Sequence, residues 1–127
     1  MPSRLAPTPT VLDEQALARL RELDPGGANH LVQRVVDAFL KSLDQHAPVL
    51  AQGCNDLTDL GALRHVAHTL KSAAASLGAT TLSQRCAEIE AQARDGRRDG
   101  LPALLDAVLA DIEGVRIAMR PLLQPTR

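Results

Sequence analysis

The stretch from Leu60 to Ala93 reads LGALRHVAHTLKSAAASLGATTLSQRCAEIEAQA, and its periodicity decides the fold class. Apolar residues recur at Ala62, Val66, Leu70 and Leu77, then again at Leu82, Cys86, Ile89 and Ala93. That spacing lines one face of an α-helix rather than one side of a strand. Asp59 is placed to cap the first run, and Thr80 or Thr81 opens the second. With Gly78 and its neighbours as the whole connection, the two helices are expected to pack antiparallel.

The same pattern extends in both directions. Upstream, Leu31, Val32, Val35, Val36, Phe39, Leu40 and Leu43 form the seam of a helix opening near Asn29. Pro48 falls inside that helix, predicting a kink, and Gly53 is the expected C-cap. Before it, Leu12, Ala16, Leu20 and Leu23 mark a short helix capped by Asp13 and stopped by Pro25-Gly26-Gly27. Downstream, Asp95-Gly96-Arg97-Arg98-Asp99-Gly100 is a polar loop, and Pro102 suits the first turn of a last helix. That helix carries Leu105, Val108, Leu109, Ile112 and Ile117 before Pro121. The expected fold is all-α: an antiparallel up-down four-helix bundle with a short additional N-terminal helix. Residues 1–10 hold three of the eight prolines and read as a disordered tail or linker, leaving 11–123 as the helical unit.

Composition agrees and excludes several functions. The chain has 127 residues, 45% of them hydrophobic, yet Phe39 is its one aromatic. That argues against an all-β core and removes the aromatic platform that binders of single-stranded nucleic acid use. Lys and Arg number 14 against 15 Asp and Glu, a net charge of −1, so no basic footprint for nucleic acid or an anionic membrane exists. Cys54 and Cys86 are neither a disulfide framework nor a zinc motif, and fit a reducing compartment. MPSRLAPTPT has no apolar run of signal-peptide length, and no stretch reaches the length of a membrane span. The expectation is a cytoplasmic monomer.

One helix face stands out. With Val66 at zero and about 100° per residue, Leu70, Ala73 and Leu77 place the core stripe at about 20° and His68 at about 200°, directly opposite. Around it lie Ala75 at about 180°, Gly61 at about 220°, Ser72 at about 240° and His65 at about 260°. The long neighbours are cations, Arg64 at about 160° and Lys71 at about 140°. A solvated face normally carries long polar side chains; here small residues let a partner approach the imidazole closely. The two cations favour a dianionic group placed on it. A free imidazole titrates near about 6.5, so it is largely neutral and nucleophilic at neutral pH. These are the requirements of a transient phosphoryl carrier. The same face also fits a plain helix–helix contact in an Ala-rich chain.

His68-Thr69-Leu70-Lys71-Ser72-Ala73-Ala74-Ala75-Ser76-Leu77-Gly78-Ala79 resembles the signature helix of histidine-containing phosphotransfer (HPt) domains. In that family a His is followed by a Lys three residues later, then a Gly, small residues and a second Gly. Leu82 to Glu90 is similar to the family's next helix, with its Leu, Cys and apolar-Glu spacing, and the likeness covers nearly all of residues 11 to 120. The resemblance implies that His68 accepts the phosphoryl group and that Lys71 supports the phosphate, with Arg64 as the second nearby cation. Gly61, His65, Ser72 and Ala75 then form the docking surface. Ser72 stands where the family usually has Gly, a departure that bears on docking distance.

The other candidates carry less. His65 and His68 lie three apart, but no further ligand pattern accompanies them, so no metal site is expected. Cys86 belongs to an apolar stripe, a setting for an inert thiol. No GxxxxGK[ST] or GxGxxG occurs to hold a nucleotide. Arg94, Arg97 and Arg98 read as a solvated loop, and His30 and His46 are assigned no role.

The leading function is therefore a phosphorelay intermediate that takes a phosphoryl group on His68 from a receiver domain's aspartyl phosphate and passes it to another receiver aspartate. No ATP-dependent kinase activity of its own is expected. The receiver, from a response regulator or hybrid kinase, would bring the Mg²⁺ that phosphoryl transfer uses. Two alternatives stay open: a non-catalytic interaction module using the same face, and the phosphoacceptor domain of a chemotaxis-type kinase.

Overall fold

A computed structural model describes residues 10–123. It comprises α1 (Glu14–Glu22), α2 (Leu31–Gly53), α3 (Leu60–Ser76), α4 (Thr80–Arg94) and α5 (Leu101–Met119). Short 3₁₀ turns at Pro25–Gly27 and Arg120–Leu123 complete it, with no strand among the described residues. Apart from Thr10, the expected N-terminal tail lies outside those residues.

Helices α2 to α5 close into a ring: α2 packs on α3, α3 on α4, α4 on α5 and α5 back on α2. The core is aliphatic. Leu43, Leu50, Leu70, Leu82, Ile89, Leu105 and Ile112 are fully buried, and Phe39 is the aromatic among them. Helix α1 buries Ala16 and Leu17 and rests on α2 and α3. This is the expected bundle with its short N-terminal helix.

The helix ends follow from local chemistry. Asp13 accepts from the Gln15 N–H at 3.0 Å and Asp59 from the Ala62 N–H at 2.9 Å, so both sequence-expected caps form. Helix α3 ends in a Schellman motif: Gly78 at φ 82° lets its N–H reach the Ala75 carbonyl and the Ala79 N–H reach that of Ala74. A Cβ on Gly78 would stand 2.8 Å from the Asp13 backbone, whose N–H donates to the Gly78 carbonyl. Gly78 thus turns the chain into α4 and seats the start of α1.

Four details differ from the sequence expectations. Leu23, expected on the apolar face of the first helix, is its C-cap and 74% exposed. Helix α2 starts at Leu31, because His30 is left-handed at φ 53° and the Asp24 carboxylate, not a neighbouring side chain, takes the N–H of Leu31 at 3.1 Å. Gly53 is the last helical residue rather than the cap, which is Cys54. It is buried where a Cβ would meet Leu63 at 2.9 Å and Leu105 at 3.0 Å, so it lets α2, α3 and α5 converge. Ile117 is 57% exposed, and Val115 and Met119 carry the buried seam onward. At about 100° per residue Ile117 lies about 140° from Ile112, off the core stripe.

Candidate functional site

The core face of α3 is Leu63, Val66, Ala67, Leu70 and Ala74, all buried. Helical geometry then sends His68 outward, and its side chain is 62% exposed. Gly61, Arg64, His65, Ser72 and Ala75 share that exposed surface, as the sequence placed them. At Gly61 an added Cβ would meet nothing nearer than Asp59 Oδ1, at 3.5 Å, so the face is low for lack of side chain.

Lys71 is less exposed than its place on the wheel implies, because it leans toward α4. There it meets Glu90, which belongs to the apolar-Glu spacing noted in the sequence but has no role in the site by that reading. Glu90 sets one carboxylate between two groups of α3: Oε2 lies 2.6 Å from His68 Nδ1 and Oε1 lies 2.5 Å from Lys71 Nζ. The Glu90 side chain is only 15% exposed. The Lys71 ammonium, first, and the His68 contact hold its carboxyl below the usual carboxylate range against the opposing effect of burial. Ser83, also from α4, donates to the Lys71 carbonyl at 2.9 Å and ties the two helices together at this level. The structure thus brings His68, Lys71 and Glu90 into one cluster; the remaining predicted residues share the surface without joining it.

The chemistry of the imidazole follows from its neighbour. An ionised carboxylate can only accept a hydrogen bond, so the Nδ1 facing Glu90 is the donor, and in the neutral ring the lone pair is left on Nε2. The cluster therefore presents a fixed tautomer with a nucleophilic nitrogen, one ammonium within reach, and a surface of small residues around it.

The other candidates take ordinary places. His65 is exposed beside His68, and no group of three or more His, Cys, Asp or Glu suited to a metal occurs among the described residues. Burial pushes the Cys86 thiol up to about 12, with the nearby Asp111 charge adding to it, which keeps the thiol protonated and unreactive. The loop cation Arg98 donates to the Leu57 carbonyl at 3.3 Å, and Arg94 pairs with Asp95. No helix among the described residues is long and apolar enough to cross a membrane.

Comparison with known proteins fits this geometry. The sequence pattern of the Hpt domain matches residues 34–118. Among solved structures, the chain resembles histidine-containing phosphotransfer protein B (HptB) from Pseudomonas aeruginosa PAO1, with a TM-score of 0.78 and 29% identity. That match covers 91% of this chain and 96% of the other. No curated protein matches the chain.

Proposed function

Because the chain belongs to the Hpt domain family, the phosphotransfer proteins of two-component relays, we propose that His68 is its phosphoryl-carrying residue and that it relays between receiver domains. The observation that carries this reading is the His68–Glu90–Lys71 cluster on an otherwise low helix face. In the proposed step, His68 Nε2 attacks the phosphorus of a receiver's aspartyl phosphate. The new N–P bond forms as the acyl O–P bond breaks, and its electron pair leaves on the aspartate carboxylate. The reverse reaction loads a second receiver.

Phosphoryl transfer depends on positioning and on neutralising charge. Lys71 supplies an ammonium one helical turn from His68, Arg64 adds positive potential one turn to the other side, and Gly61, His65, Ser72 and Ala75 set how closely the receiver can sit. We assign Mg²⁺ to the receiver side, since this chain's acids are not clustered to hold it among the described residues.

Purified protein mixed with a phosphorylated receiver and Mg²⁺ should take up a label that is acid-labile and alkali-stable, as a phosphorus–nitrogen bond is. His68→Gln should stay unlabelled and still fold, because the side chain lies outside the core. Label persisting in His68→Gln removes His68 as the carrier. Labelling of the wild-type protein also separates the relay from the interaction-module reading. ATP and Mg²⁺ alone should give no label; labelling by a separate kinase core with ATP, but by no receiver, would point to the chemotaxis-type alternative.

A further inference from the structure

Glu90 does more to the imidazole than orient it. The carboxylate lies 2.6 Å from Nδ1 and is largely shielded from water, so its charge acts on the ring at close range. Resting on the assignment of His68 as the carrier, we propose that Glu90 is the positioning residue that keeps the phosphorylated ring protonated at Nδ1, and so keeps the phosphoryl group transferable.

The argument is one of leaving groups. Attack through Nε2 by a ring already protonated at Nδ1 yields an N-phosphoimidazolium, with no proton moved. When that N–P bond breaks, its electron pair returns to Nε2 and a neutral imidazole departs. If Nδ1 first loses its proton, the group that must depart is an imidazolate, which is far worse. Whether the ring holds that proton decides whether the phosphoryl group is labile or inert.

The surroundings leave Glu90 in control of this. The titratable groups on the helical turns flanking the imidazole are Arg64, His65 and Lys71 on α3, and Glu90 on α4 with Arg94, itself paired to Asp95, one turn beyond it. Helix α2 packs on α3, whose Leu63, Val66, Ala67, Leu70 and Ala74 form the buried face away from His68; Asp13, the N-cap of α1, bonds to Gly78, which lies just past the end of α3 and ten residues from His68. Arg64, Lys71 and Arg94 oppose a positive ring, so Glu90 is the neighbour that favours one. Its carboxylate also cannot donate, so a deprotonated Nδ1 would face two lone pairs. A glutamine in its place could turn its amide and donate to that nitrogen, which removes the penalty.

Lys71 acts in the opposite sense. Its ammonium is bound to the same carboxylate, and a phosphoryl group on Nε2 would compete with Glu90 for it. Lys71 then steadies the phosphate, while Glu90 keeps it ready to leave.

The experiment uses phosphoramidate to load the full chain without a receiver, then follows phosphohistidine by ³¹P NMR across pH. In the wild type the phosphoryl group should stay labile to higher pH than in Glu90→Gln. The midpoint of the stability profile should fall by about one pH unit in the variant, so that its label persists up to about tenfold longer between the two midpoints. Lys71→Ala should move lifetime the other way, shortening it. A merely structural role for Glu90 predicts shorter lifetimes in both variants, and coincident profiles for wild type and Glu90→Gln, with folding verified by circular dichroism, overturn the proposal. Wild-type label that is absent, or that resides elsewhere than His68, overturns the carrier assignment and this inference together.

Discussion

Asp24 shows how a single carboxylate can start a helix from a distance. It accepts from the N–H groups of Asn29 and Leu31, and from the Asn29 side-chain amide, all at 3.1–3.2 Å. Chiefly through the Leu31 N–H, its carboxyl is held below the ordinary range. A carboxyl lowered in the folded state stabilises fully above its unfolded value of about 3.9, and that contribution is lost as pH falls through the lower folded value. Acid should therefore loosen the α2 N-terminus. Asp24→Asn should lower the thermal midpoint at neutral pH and flatten its decline in acid, as thermal scans over a pH series would show. At the site itself, Lys71→Ala should slow transfer by roughly tenfold, since a charge-assisted hydrogen bond contributes about 1.5 kcal/mol or more, less where solvent screens it. Receiver affinity should barely change. Rapid-quench kinetics beside a binding titration separate the two.

The α3–α4 hairpin was legible from its sequence because two helical periods flank a short turn containing Gly78, and the turn forms as written. Glu90 was not legible as a partner of His68. An acid beside Ile89 has no periodic signal of its own, and its contact arises from register. His68 lies ten residues before Gly78 and Glu90 twelve after, which brings them opposite one another once the helices fold back. Ile117 and Gly53 misled for related reasons: apolar character alone does not fix a face, and a glycine at a helix end can serve packing rather than capping. Gly78→Ala should be severe, because an L side chain at φ 82° costs about 1–3 kcal/mol and its Cβ also meets the Asp13 backbone. Denaturant unfolding should register the loss, with α1 the first element to lose amide-exchange protection. Ser72→Gly is milder. It should lower stability by about 0.5 kcal/mol through helix propensity, and change receiver affinity more than phosphohistidine lifetime.

The closed ring of helices holds a charged contact against its aliphatic interior. Arg85 on α4 pairs with Asp111 on α5 at 2.7 Å, with side-chain exposures of 35% and 3%. The two ends are not equivalent. Arg85→Met leaves a carboxylate buried and should cost about 3 kcal/mol, whereas after Asp111→Leu the guanidinium can turn toward water, so the loss should be smaller. The double variant should recover most of the stability, which a double-mutant cycle in urea would measure. The bundle's shape was readable because helix periods and short loops leave few arrangements; this pair was not, since it depends on how α4 and α5 meet. The composition of the core also has a practical side. Its packing is aliphatic but for Phe39, Cys86 and Met119, and the chain contains neither Trp nor Tyr. The protein is accordingly almost dark in near-ultraviolet fluorescence, and a receiver that carries a tryptophan near its docking face can be watched binding it, and releasing it, without background from the carrier.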